Sequence, residues 1–330
     1  MSEDGLKLTS YLRESDRCGA GLVADALFDL FERAGLRVSV LVRGVEGFGR
    51  SRLAHSERLE TLAGDLPLIA VAVDRRERVE RVLPEVTRLM RGGIVTVERA
   101  RLVADRSSVE PDPGAAAKLT VYCGRGERVA GGSAARAVID HARQHGAVAG
   151  SVLLGLDGTV HGTRRRARFL SHNAGVPLMV IVVGGAPAIA SAMPGISALL
   201  DDPVVTLERV AVDLHPPARI DGDPWQKLMV HCGADAMIGS RPLHLVLLER
   251  LREEGLAGAT SLRGAWGFAA GSAPHGDSVR SLRRRTPVLT VAIDRLPQVD
   301  RAWPALRSLV AGHGVITREW VPAFEVIDRG

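Results

Sequence analysis

The sequence predicts an α+β protein built from three tandem copies of one small βαββαβ domain, arranged as a pseudo-trimer. Three observations predict it: landmarks that recur at fixed spacing, linker-like stretches between the recurrences, and a hydrophobic pattern that switches between strand and helix periods inside each copy. The landmarks begin with Lys7, Lys118 and Lys227, which open the segments KLTSYL, KLTVYC and KLMVHC. A glycine follows 28 residues later (Gly35, Gly146, Gly255) and another nine residues after that (Gly44, Gly155, Gly264). LPLIAVAVD, VPLMVIVVG and TPVLTVAID then line up, with a proline pair 17 residues apart in each copy: Pro67 and Pro84, Pro177 and Pro194, Pro287 and Pro304. The copies close on VTVERARLV, VTLERVAVD and VITREWVPA. Chance does not keep that order three times.

These landmarks place the domains at 1–105, 115–214 and 225–330. Between them run ADRSSVEPDPGAAA and DLHPPARIDGDPWQ, whose Pro, Gly, Ala and Asp content reads as linker.

Within the first copy, residues 6–12 alternate around β-formers and predict a strand. Leu22, Val23, Ala26, Leu27, Leu30 and Phe31 recur at helical spacing, and Gly35 stands where a C-terminal cap belongs. Residues 37–42 predict a second strand, followed by a loop rich in glycine and arginine. Residues 68–73 are almost wholly apolar, as in a strand covered on both faces. Val79, Val82, Leu83, Val86 and Met90 mark a second helix, ended by Gly92 and Gly93, and residues 95–103 predict the last strand. This order is the split βαβ, or ferredoxin-like, unit. Two helices cover only one face of its sheet, so the buried third strand calls for something on the other face. Three copies packing those faces together meet the requirement.

At 330 residues the chain is long enough for three such cores, and its 46% hydrophobic and 25% charged content is that of a globular protein. No apolar run approaches the roughly 20 residues of a spanning helix, so membrane insertion is not expected. Three cysteines without CxxC spacing point to free thiols and a cytoplasmic location. The net charge of +5 favours acidic partners without specifying nucleic acid. No metal site is read from the histidines and cysteines, and no nucleophile, base and acid arrangement recurs, so neither an enzyme nor a required cofactor is expected.

The run RGVEGFGRSRLAHS, followed by DLPLIAVAVD, LPEV and GGIVTVE, resembles the DUF190 family, which is grouped with PII-like signalling proteins. RGAWGFAAGSAPHGDS and TPVLTVAID of the third copy are similar to the same pattern, whereas LGLDGTVHGTRRRA of the second has lost the arginine and the Gly-Phe pair. The resemblance implies a trimeric, ferredoxin-like sensor that binds a small anionic effector, often an adenine nucleotide, in clefts between neighbouring units. Such proteins report binding through the loop after the second strand. It also implies a protein target, with a membrane transporter or channel as one possibility.

The candidate ligand residues follow from the glycine and arginine chemistry of these loops, since glycine admits close backbone approach and arginine supplies forked donors to phosphate. They are Arg43, Gly44, Gly47, Phe48, Gly49 and His55 in the first copy, with Arg50, Arg52 and Arg58 nearby. In the third they are Arg263, Gly264, Gly267, Phe268 and His275, with Gly271, Arg280 and Arg283 to Arg285. The turn before the last strand adds Gly92, Gly93, Gly312 and Gly314; the second copy has Asp201, Asp202 and Pro203 there. Glycines at turns and helix ends are also explained by backbone conformation alone. Tyr11, Tyr122 and His231 share one first-strand position and read as packed sheet-face residues. Arg164 to Arg166 read as a solvated basic run that could receive an acidic target. The competing reading is a non-catalytic scaffold whose basic loops bind an acidic protein or nucleic acid, although the aromatic pattern of RNA-binding sheets is missing.

Overall fold

The computed structural model describes residues 2–49, 54–56, 65–103, 116–168, 173–212, 224–276 and 286–328. The first repeat comprises β1 (Ser2–Arg13), α1 (Val23–Arg33), β2 (Val38–Phe48), β3 (Pro67–Arg75), α2 (Arg76–Leu89) and β4 (Gly92–Val103). The second comprises β5 (Ala116–Gly124), α3 (Ala134–Gln144), β6 (Ala149–Leu154), β7 (Asp157–Val160), β8 (Thr163–Arg166), β9 (Pro177–Gly185), α4 (Ala186–Ala198) and β10 (Val204–Val212). The third comprises β11 (Trp225–Gly233), α5 (Leu243–Glu253), β12 (Ala259–Arg263), β13 (Trp266–Ala269), β14 (Pro287–Arg295), α6 (Leu296–Val310), β15 (Gly314–Val321) and a terminal strand β16 (Ala323–Asp328). Short hairpins precede each first helix. The chain is thus a mixed α+β protein with six helices among the described residues, none of them long and apolar enough to cross a membrane.

Each repeat orders its strands as second, third, first, last, all antiparallel: β2–β3–β1–β4, β6–β9–β5–β10 and β12–β14–β11–β15. The sequence pattern explains the layering. Along β3, Leu68, Ala70 and Ala72 join the core beneath α1 and α2, while the alternating Ile69, Val71 and Val73 face the other way. On that far face they meet Met179 and Ile181 of the second repeat and Leu289 and Val291 of the third in one shared core. The uncovered sheet faces are therefore covered by one another.

The sheets also join edge to edge, in a cycle. The extension of β2 pairs with β12 (Phe48 opposite Ala259), β13 pairs with β6 (Ala269 opposite Ala149), and β7 pairs with β2 (Val160 opposite Val38). The last strands close a second cycle: β4 on β10, β10 on β15, and β16 on β4.

One sequence expectation is corrected here. The glycine-rich segment after residue 42 is strand in the first repeat, where β2 runs on to Phe48. The neighbouring repeat supplies the missing ladder partner. Gly44 permits the approach, because a Cβ there would lie 2.7 Å from both the Pro67 and Thr260 side chains.

Candidate functional site

The RGxxGF segments build seams between repeats. Phe48 is buried in the hydrophobic core of the third repeat and Phe268 in that of the second, each inserted from the neighbouring chain segment. The second repeat has Thr159 at this position, buried and hydrogen-bonded to Ser39 of the first repeat at 3.0 Å. Two residues earlier, each extension meets the neighbour's first helix with different chemistry. Glu46 lies 3.9 Å from His244 of α5, and Trp266 lies beneath the Arg136 guanidinium of α3. Asp157 holds Arg164, which also reaches Asp29 of α1, while Arg166 pairs with Asp25.

The expectation that Arg164 to Arg166 form a solvated run is therefore corrected. Arg164 and Arg166 clamp the second repeat's hairpin to α1, with Asp157 first raising the Arg164 pKa above the usual guanidinium range. Among the described residues, Arg165 alone of the three has no carboxylate partner, and it donates to the Arg164 carbonyl.

The remaining candidates fall in separate places. Arg43 is exposed and donates to Glu14 at 3.1 Å. Arg263 occupies the equivalent place, but Ala234 stands where Glu14 would be, and the buried Arg263 Nε has no hydrogen-bond partner among the described residues. Gly47 and Gly267 sit in the inter-repeat ladders, Gly264 lies against the Val152 carbonyl, and Gly49 is exposed just beyond β2. The backbone of His55 pairs with Gly47, while its side chain lies outside the described residues. His275 pairs with Gly267; its Nδ1 lies 2.7 Å from the Ala273 carbonyl, and its buried Nε2 has no hydrogen-bond partner among the described residues. Arg50, Arg52, Arg58, Arg280 and Arg283 to Arg285 lie outside the described residues, and Gly271 is an open turn glycine. Arg263 shares the helix-facing side of the sheet with Val288, whereas Gly233, beside which His275 sits, alternates to the opposite side. These two residues do not converge.

The turn before the last strand does form a cavity, in the third repeat. A groove of about 670 Å³ opens between the C-terminal half of α6 and the start of β15. Trp303, Pro304, Arg307, Ser308, Gly312 and Gly314 line it, with Val310 and Ile316 at its floor. Gly312 has φ +75° and is exposed. The volume is that of small-molecule sites generally. Arg307 is its one charged lining residue, exposed beside an indole. The groove lies along the edge of β15 just beyond Thr317 and Arg318, which pair with the end of the second repeat.

The equivalent turns elsewhere differ. In the second repeat Asp201 and Asp202 are exposed, and the Asp202 carbonyl is engaged by His161 Nε2 at 2.8 Å. In the first repeat Gly92 and Gly93 are paired with Asp328 and Ile327 of β16. Gly93 is obligatory there: φ is +101°, and a Cβ would come within 1.9 Å of the Tyr11 carbonyl oxygen.

Sequence reasoning missed a buried ring of six charges where the three repeats meet. Lys7 contacts Glu98 at 2.7 Å and also Glu208; Lys118 contacts Glu208 at 2.9 Å and Glu319 at 2.5 Å; Lys227 contacts Glu319 at 2.8 Å and also Glu98. Each lysine bridges its own repeat to the next. Burial alone would raise the Glu98 and Glu319 pKa values, but the surrounding lysines outweigh it and hold both carboxyls low, Glu319 at about 2. The signal was on the page, because the lysine that opens each repeat and the glutamate near its close recur in all three. The three carboxylates form the only group of three potential metal ligands among the described residues, but the interleaved ammoniums already neutralise them.

A second feature was missed. His141 of α3 and His145, the cap that ends it, stand four apart, the spacing of a helical metal chelate. Their rings are 4.2 Å apart, but His145 Nδ1 lies 2.9 Å from the His141 carbonyl oxygen instead of facing a shared ligand.

Comparison with known proteins agrees with the threefold repetition. The family model for DUF190, described as Uncharacterized ACR, COG1993, matches residues 5–102, 116–212 and 225–323. A UPF0166 protein of Aquifex aeolicus is 35% identical over 78 residues, covering 24% of this chain and 80% of the relative. A UPF0166 protein of Methanocaldococcus jannaschii is 28% identical over 91 residues, covering 27% of this chain and 83% of the relative. One repeat of this chain thus corresponds to most of such a relative.

Proposed function

The chain belongs to the DUF190 family, and from that membership and the third-repeat groove we propose that it is a PII-like regulatory protein, with three fused ferredoxin-like units acting as a pseudo-trimer in the cytoplasm. Its effector is a small anion, an adenine nucleotide above all. Binding orders the segments around the groove and alters the surface offered to a protein target, by differential affinity for two arrangements of the same chain. The reading needs no cofactor and no bond-making chemistry.

The observation that carries it is the groove itself. Trp303, whose ring already carries the Arg318 guanidinium 4.8 Å from its centroid, offers its remaining exposed surface to a base, Arg307 a forked donor for phosphate, and Gly312 and Gly314 a backbone a ligand can approach. The second repeat's acidic turn repels an anion, and β16 covers the first repeat's turn. One nucleotide per chain is the expected stoichiometry.

Isothermal titration with ATP, ADP and AMP tests this. We expect one site per chain, and Arg307→Ala to weaken binding at least about tenfold, the loss of one charge-assisted contact. Because Arg307 is exposed, the melting temperature of the unliganded variant should not move. Arg263→Ala, whose guanidinium lies outside the groove lining, serves as the control and should keep its affinity. Unchanged nucleotide affinity in Arg307→Ala, or an equal loss in Arg263→Ala, would remove the assignment. Salt-sensitive RNA binding with no nucleotide response would favour the scaffold reading instead.

A further inference from the structure

We propose that the terminal strand β16 is a built-in occupant of a second, latent anion site on the first repeat, and that its release uncovers that site. The proposal deepens the reading of the third-repeat groove and rests on it for the nature of the ligand.

The repeats make the comparison internal. Trp303, Ser308, Ala311 and Gly314 of the open groove correspond to Leu83, Arg88, Arg91 and Gly93 in the first repeat. In the third repeat the space between the end of the second helix and the edge of the last strand is open. In the first repeat that edge, Gly92–Val97, carries Ala323–Asp328 as an antiparallel partner. Ile327 is 4% exposed and packs into the same hydrophobic core as Val86, Met90 and Val95. It takes the place that Val310 and Ile316 leave open in the third repeat. The strand is anchored elsewhere by Phe324, whose ring lies 3.6 Å from that of Trp225. Its cover over the turn therefore rests on a few residues that can leave while Phe324 stays.

The two sites are not chemical copies. The latent one exchanges Arg307, Ser308 and Ala311 for Thr87, Arg88 and Arg91, so it presents two guanidiniums, that of Arg88 shared with Glu85 at 3.6 Å, where the open groove presents Arg307 alone. Two forked donors beside a glycine turn suit a polyphosphate rather than a monophosphate. The latent site thus takes the more highly charged member of the nucleotide series. Occupation of that site by ligand and by β16 is mutually exclusive, because both use the edge of β4.

The experiment compares the full chain with a chain ending at Pro322 and with full-length Ile327→Glu, which keeps the strand but puts a charge where the core needs an aliphatic group. ATP titration should give one site for the full chain and two for either variant, with the additional site binding ATP at least about tenfold more tightly than AMP. A fluorescein-labelled peptide of residues 321–330 should bind the shortened chain, read by anisotropy, and return its ATP stoichiometry to one. If the variants still bind one ATP, or the peptide leaves the second ATP site untouched, the proposal fails. If the full chain binds no ATP, the nucleotide reading has failed, and saturable binding of the peptide to the shortened chain but not to the full chain still decides whether β16 is a removable occupant.

Discussion

Lys118→Met lowers the stability of the folded chain by about 3–5 kcal/mol, the cost of leaving a buried charge without its partner. The lysine is 2% exposed and stands between Glu208 and Glu319, both themselves buried. Methionine fills nearly the same volume, so the loss measures charge rather than packing. The control is Lys118→Met with Glu208→Gln, which leaves two lysines facing two glutamates. We expect it to recover about 1–2 kcal/mol, within the range of coupling energies between contacting residues. Urea unfolding of the three chains makes the comparison.

The same ring sets an acid limit. The folded pKa values of Glu98 and Glu319 lie below the ordinary 4.5. Their contribution is fully present above that value and is lost as pH falls toward about 2, where Glu319 takes its proton in the folded state. The urea midpoint of the wild-type chain should therefore hold down to about pH 5 and fall steeply below it. In Lys118→Met the fall should be shallower, since one of the cations that depresses these carboxyls is gone.

Phe268→Ala is the second large loss, again about 3–5 kcal/mol. The ring is 2% exposed and packs with residues such as Val138, Ile139 and Val180 of the second repeat, although it belongs to the third. The cavity is thus opened in a core the mutated repeat does not own. Phe268→Leu, which keeps most of the apolar volume, should cost less than half as much. If both variants melted like wild type, the seam would not depend on this side chain.

The repeat architecture was legible because internal repetition needs no outside reference. Lys7, Gly35, Gly44, Pro67 and Pro84 each found two counterparts, and the unbroken apolar run of β3 predicted a covered second face. The RGVEGF stretch read as a loop because its glycines suit turns, whereas a strand there needs a partner more than 200 residues away. For the same reason Phe48 and Phe268 resembled ligand residues: single-sequence reading sees a glycine and an aromatic side by side, not the foreign core that receives the ring. Lys7 and Glu98 were seen only as landmarks, since the register that brings six such residues together arises only when three sheets meet. The groove was half legible. Gly312 and Gly314 were singled out, but Trp303 and Arg307 lie a helix turn or more upstream and read there as ordinary helix surface.

The unequal seams also decide how the molecule breathes. Two joints of the cycle are closed by a phenylalanine that water cannot replace. The third is closed by Thr159 on Ser39, by arginines on aspartates and by Leu156 against the first repeat's core, so more of it is polar and open to competition from water. Thermal motion therefore finds one joint softer than the other two. Backbone amides of β7 should exchange with solvent sooner than those of β12 and β13, and equal exchange at the three joints would remove the ranking.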